Sequence, residues 1–177
     1  MRFGGFHAVE PGLVFAALGC ALALGGCASG PETEEPSFYR SLATSGATVD
    51  ANAAASMISG YRANNGLGPV VVDQDLMRAA MEQSKVMAQR DKLDHAAGRD
   101  FKDRLRRSGF DARIAVENVG AGYHTLAEAF SGWRDSPPHR VNMLNKSATH
   151  MGIAAVYAQG SKYKVFWTLI LAEKDPV

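Results

Sequence analysis

Cysteine is nearly absent from this chain. The only two, Cys20 and Cys27, both sit in an apolar N-terminal stretch. The remainder can therefore build neither disulfides nor a thiolate metal site. An excess of one charge is also missing, the formal net charge being +1. The densest basic stretch, Lys85 to Arg107, is interleaved with Asp91, Asp94, Asp100 and Asp103. Such a mixture reads as a solvated helical face rather than the basic footprint of a nucleic-acid binder, so no nucleic-acid partner is expected. No apolar run reaches the roughly 18 residues that a membrane-spanning helix needs. There is no internal repeat and no short H-E-x-x-H spacing.

What is present begins with a leader. Arg2 lies in a short N-terminal region, and an apolar run follows from Gly12 to Leu24. At about 13 residues it is too short to cross a ~30 Å hydrocarbon core and suits the apolar segment of a secretory signal. Leu24-Gly25-Gly26-Cys27 then resembles a lipobox, with an aliphatic residue and two small ones ahead of the cysteine. That resemblance implies that residues 1–26 are a lipoprotein signal peptide and that the Cys27 thiol accepts a diacylglycerol. Acyl chains such as palmitate would then hold the mature chain stably on a membrane. Cys20 has a similar context but too little apolar sequence before it. Ala28 after the cysteine, rather than Asp, favours the outer membrane in a two-membrane cell. A disulfide-free domain would otherwise suggest a reducing compartment, but the leader is the more specific signal.

Residues 27–49 are rich in Pro, Ser, Thr, Gly and Glu, which predicts a flexible tether, with Phe38, Tyr39 and Leu42 able to dock locally. About 125 residues, 50–175, remain for one domain with one sizeable core. Asp50 is a plausible N-cap for a helix over Ala51–Asn64, and a second helix is expected over Asp75–Lys92. A third, short helix is expected over Phe101–Ser108, closed by Gly109, and Ile114–Val119 reads as extended. Thr125-Leu126-Ala127-Glu128 is a capping box opening a helix to about Asp135, which Ser136-Pro137-Pro138 must break. His139–Leu144 can form a further helical turn. Met151–Ala158 and Tyr163–Ala172 are apolar extended runs joined through Gln159-Gly160-Ser161-Lys162 as a hairpin. Helices first and strands last suit an α+β fold.

Three segments carry a more specific pattern. Leu93-Asp94-His95 follows the second helix, and Val116-Glu117-Asn118-Val119-Gly120 lies in the extended stretch. Trp133-Arg134-Asp135-Ser136-Pro137-Pro138-His139-Arg140-Val141-Asn142-Met143-Leu144 precedes Met151-Gly152-Ile153. Together they resemble the bacterial branch of the CAP superfamily (cysteine-rich secretory, antigen 5 and pathogenesis-related proteins), over about residues 52–173. The resemblance implies a three-layer α/β/α sandwich with a mostly antiparallel sheet and a cleft lined by His95, Glu117 and His139. Two imidazoles and a carboxylate can hold a divalent, zinc-like ion with a position left open, or serve as acid–base groups. They can equally form a metal-free hydrogen-bonded cluster. Many relatives have a further Glu where this chain has Ser136, next to Asp135. Glu128 is already explained by its capping box, and which of Asp135 and Glu128 reaches the cleft, if either does, is open at this level. Asn118 and Arg140 are expected to be structural and Trp133 to be core, while His124 and His150 should face solvent.

Two functional classes follow. One is a non-enzymatic binding module on the cell envelope, taking a small apolar molecule, a cell-wall fragment or a protein. The other is a metal-assisted or acid–base hydrolase of peptide or cell-wall bonds, against which the missing Glu argues.

Overall fold

The computed structural model describes residues 1, 2, 4, 5 and 34–176. The expected signal peptide and both Cys20 and Cys27 lie almost entirely or wholly outside the described residues. Nine elements follow one another: α1 (Ala51–Ala63), β1 (Val71–Val72), α2 (Gln74–Arg90), α3 (Phe101–Ser108), β2 (Ala112–Ala121), α4 (Leu126–Asp135), α5 (Pro137–Met143), β3 (His150–Tyr157) and β4 (Val165–Lys174). They form one sheet in the order β1-β3-β4-β2, with β1 parallel to β3 and the other two pairings antiparallel.

Local chemistry sets the helix starts. The Asp50 carboxylate accepts from the N–H groups of Asn52 and Ala53, and Asp73 does the same for Asp75 and Leu76. Each satisfies donors that no preceding helical turn supplies. The Thr125–Glu128 capping box is formed on both sides. α5 opens on Pro137 and Pro138, where a missing N–H costs nothing. The sequence places this turn at His139–Leu144; the prolines instead become its first residues.

β4 is one of the two interior strands, between β3 and β2, and its first eight residues are buried. Val165, Trp167, Leu169 and Leu171 enter a core shared with α1, α4 and α5, through Ala54, Ile58, Leu126, Trp133 and Met143. On the other face Ile170 and Ala172 meet Leu76, Ala79 and Ala80 of α2 and Leu105 of α3. This is the α/β/α layering, produced by alternation along a strand covered on both sides. Gly152 lets α2 come against β3: a Cβ there would collide with the Leu76 carbonyl group and sit 2.5 Å from Met77 N.

The ordered region starts earlier than the composition of the linker predicts. Leu42 is buried in the main core with Phe38 packed against it. Its N–H donates to His124 O at 2.7 Å, and Ala127 N donates to Phe38 O at 3.0 Å. A tether reaching to residue 49 is therefore too long. One buried leucine and two backbone bonds are enough to dock a polar segment.

Candidate functional site

The site lies along β2, the sheet edge opposite β1. Gly122 N donates to Val165 O at 3.0 Å, which fixes the even-numbered residues of β2 as those bonded to β4. Ala115, Glu117 and Val119 therefore turn their backbone groups outward. Two of these edge carbonyls are taken by side chains of the Trp133–Leu144 segment. Trp133 Nε1 donates to Val119 O at 3.3 Å, and Asn142 Nδ2 donates to Glu117 O at 3.1 Å. Asn142 Nδ2 also reaches Asn118 Oδ1 at 2.8 Å, and Asn118 Nδ2 donates to His139 O at 3.0 Å. The long motif is thus a clamp that seats α5 on the edge of β2.

Glu117 points to the α2/α3 face, with only 4% of its side chain exposed. His95 Nδ1 lies 2.9 Å from Glu117 Oε1. The other oxygen, Oε2, accepts from Arg104, whose side chain is completely buried. The basic stretch read as a solvated face therefore contains one arginine that is not solvated. Its signal was spacing: Phe101, Arg104, Leu105 and Ser108 share the inner side of α3 at steps of three and four. Arg104 also donates to Arg99 O at 2.8 Å, and its guanidinium lies 5.3 Å from the Phe101 ring centre. Gln83, buried on α2, holds the loop before α3 by donating to Asp94 O at 2.7 Å and His95 O at 3.2 Å. Nothing in the sequence around Gln83 marks it for this role beyond its place in the second helix.

The structure brings His95 and Glu117 into contact. His139 is half-buried on α5, and its side chain makes no hydrogen bond to either of them among the described residues. It is nevertheless close enough to feel the charge of His95. The Glu117 hydrogen bond, opposed by partial burial, holds the His95 pKa above the ordinary histidine value. Burial, reinforced by the charge of His95, pushes that of His139 below it. Neither other acid reaches the cluster. Glu128 Oε2 accepts from His124 N at 2.6 Å and Thr125 N at 3.2 Å, while Asp135 is exposed and paired with Arg134. Ser136 makes no side-chain capping bond. Trp133 is in the core. His124 is exposed, whereas His150 is only partly so, its Nδ1 2.8 Å from Thr149 Oγ1.

The donor set is a poor match for a divalent ion. Among the described residues no group of three or more His, Cys, Asp or Glu side chains is placed to hold one. Both Glu117 oxygens are engaged, and the unpartnered buried atom beside them, Arg104 Nε, is a donor on a cation. The three-ligand centre implied by the resemblance does not fit this arrangement. Glu117 instead orients an imidazole, and among the described residues His95 Nε2 has no hydrogen-bond partner.

Known proteins are similar to this chain. Two Bacillus subtilis (strain 168) relatives are similar to the chain. The protein YkwD is 29% identical over 129 residues, covering 71% of this chain and 50% of its own length. The membrane protein YlbC is 31% identical over 94 residues, covering 52% and 27%. The chain thus spans half or less of the length of these relatives. Among solved structures, an extracellular SCP-domain protein from Bacillus anthracis superposes with a TM-score of 0.61 at 26% identity, covering 70% of this chain and 40% of the other. An outer surface protein from Borrelia burgdorferi gives 0.61 at 16% identity over 73% and 98%, a likeness of fold alone. The profile described as "CAP: Cysteine-rich secretory protein family" matches residues 55–171, most of the chain, and the protein therefore belongs to the CAP family.

Proposed function

We propose that this chain is a CAP-domain lipoprotein of the cell envelope that binds a ligand beside His95 and His139 without breaking bonds in it. The carrying observation is that Glu117 is engaged at both oxygens, by His95 and by a fully buried Arg104. A general base must reach the proton it removes, and this carboxylate is 4% exposed with each oxygen turned to a protein partner, so it orients an imidazole and does not meet a ligand directly. What remains is a partly exposed imidazole of fixed orientation next to a second one in a less polar setting. Such a pair suits recognition of a ligand with one polar group and an apolar body: a small apolar molecule, a cell-wall fragment or a protein segment. Attachment is proposed through lipid on Cys27, which places the domain outside the cytoplasm, at the outer membrane where the cell has two.

Native mass spectrometry of the protein taken from its own cells tests the binding reading. A co-purified mass that is lost in H95A/H139A supports it, and identical bare spectra for both proteins overturn it. Anchoring is tested separately by C27S, which should move the protein from the membrane to the soluble fraction.

A second reading has one observation in its favour. Glu117 behind Nδ1 of an exposed histidine is how a general-base imidazole is oriented, so acid–base hydrolysis of peptide or cell-wall bonds is the alternative. Release of soluble fragments from cell-wall preparations, abolished in H95A, would favour it over binding alone.

A further inference from the structure

The helices of this fold differ sharply in charge. From Ser41 to Val72, which includes α1 and the turn after it, the only charged residues are Asp50 and Arg62. Asp50 is committed as the cap of α1, its carboxylate also accepting from Ser37 Oγ at 2.7 Å, and Arg62 is completely buried. The outward positions of α1 and of the turn, among them Asn52, Ser56, Gly60 and Asn64, are exposed and uncharged. On the opposite side of the sheet Asp73 to Asp111, with α2 and α3, carries acids and bases throughout. Both layers cover the same sheet, so packing does not call for the difference.

The chain enters the domain beside this uncharged helix. Tyr39 N donates to Pro36 O at 2.9 Å, closing a turn that lies against α1. Between turn and helix runs a groove of about 490 Å³, lined by Pro36, Phe38, Ala53 and Met57 with Ser37 and Ser56. The Phe38 and Tyr39 rings meet at 4.6 Å, and Tyr39 is 55% exposed. On the other side of Tyr39 a second hollow carries Glu35 and Glu128, which bound the uncharged area there. An exposed tyrosine beside aliphatic surface, with few charges to desolvate, suits the interfacial layer of a bilayer.

Chain length points to the same surface. Six residues separate Cys27 from Glu34, so the extended chain reaches at most about 25 Å. A domain of this size is roughly 35–40 Å across. A lipid on Cys27 therefore keeps the side where the chain enters towards the membrane. We infer that α1 and the turn before it lie against the bilayer that holds Cys27, with Phe38 and Tyr39 in its interfacial layer and the charged α2/α3 side turned to water. This surface rests on the attachment through Cys27 proposed above.

The test is hydroxyl-radical footprinting, read by mass spectrometry, of the membrane-bound protein from its own cells, reconstituted in phosphatidylcholine vesicles. Met77 and Met81, half-buried on α2, are internal controls for Met57 and Tyr39. Relative to these controls, oxidation of Met57 and Tyr39 should fall several-fold against C27S protein free in solution. N52E/S56E puts two carboxylates on the outward side of α1 and leaves its core untouched. It should stay anchored yet return both signals towards the free value. Phosphatidylglycerol added to the vesicles should not deepen the footprint, because Arg40 beside the groove is already paired with Glu34. Anchored protein whose Met57 and Tyr39 oxidise as in C27S overturns the inference and leaves the anchor standing, whereas wild-type protein recovered free of membrane overturns both. A fall in C27S alone that grows with its concentration assigns the surface to a second copy and overturns the membrane contact. An unchanged footprint in N52E/S56E does the same.

Discussion

Arg104 and Glu117 meet as opposite charges inside the protein, Arg104 with none of its side chain exposed and Glu117 with 4%. His95 takes the carboxylate oxygen that Arg104 leaves. A buried pair is weak evidence of net stabilisation, because desolvating both ions offsets their attraction. Removing one member is another matter, since it strands the other charge. R104M should therefore destabilise the domain by about 3–5 kcal/mol in urea unfolding, and E117Q by a similar amount. R104M combined with E117L, which removes both charges, should recover most of that loss. A loss in the double variant equal to the sum of the two single losses would show that the pair is not coupled.

The two histidines should titrate in opposite directions from the ordinary value of 6.5. Protonated His95 is favoured in the folded state. The stability it contributes is fully present below pH 6.5 and fades as pH rises through its higher folded midpoint. For His139 the neutral ring is favoured, so its contribution is present above 6.5 and is lost as pH falls through its lower midpoint. With 57% of the His95 side chain exposed, solvent screens much of the effect on unfolding, and the ring signals themselves are the better readout. An NMR titration should place the His95 midpoint above that of His139. E117Q should bring His95 down, and an unchanged midpoint would remove Glu117 as its cause.

Arg62 is a second buried cation, and it has no carboxylate partner among the described residues. Its guanidinium group donates to Gly68 O at 2.8 Å, Met143 O at 2.9 Å, Asn145 O at 2.8 Å and Ala148 O at 2.9 Å. It thereby ties α1 to the turn between α5 and β3, just behind the helix that carries His139. Burial pulls its pKa down. R62M keeps much of the apolar stem but leaves four carbonyls without this donor, and a loss of about 3–5 kcal/mol is expected. R62K restores one charge but not the planar fork and should recover less than half of that loss. A thermal shift within a degree of wild type for R62M would contradict this role.

Both arginines show why some of this protein was legible in its sequence and some was not. Helix starts at Asp50 and Thr125, the short third helix and the apolar interior strand β4 follow from caps and periodicity, which act locally. So did the long Trp133–Leu144 segment, whose Trp and Asn are bound to the edge of β2. Arg104 and Arg62 occupy inward positions of their helices: Arg62 continues the row Ala54, Ile58 at steps of four. Their type says surface, their spacing says core, and only the distant partners decide. Those partners are a carboxylate 13 residues away for Arg104 and carbonyls up to 86 residues away for Arg62. The metal expectation failed to fit for the same reason, because nothing local revealed that an arginine already held Glu117.

At Gly152 the backbone of α2 lies directly against β3, and this close approach can be tested against an internal control. G152A would push a methyl group into the backbone of α2 at Leu76 and Met77. Neither side can yield without moving a helix whose N-cap at Asp73 is fixed beside β1, as Asp73 N bonds Met151 O at 2.9 Å. Forced overpacking against backbone should cost about 3 kcal/mol. G160A, in the turn between β3 and β4, meets nothing within 4 Å and should stay within about 0.5 kcal/mol of wild type. Chemical denaturation of both variants decides the point. Because α2 also carries Gln83, the displacement in G152A should spread to the Asp94–His95 loop and shift the His95 ring signals, while those of His124, exposed in the loop between β2 and α4, stay in place.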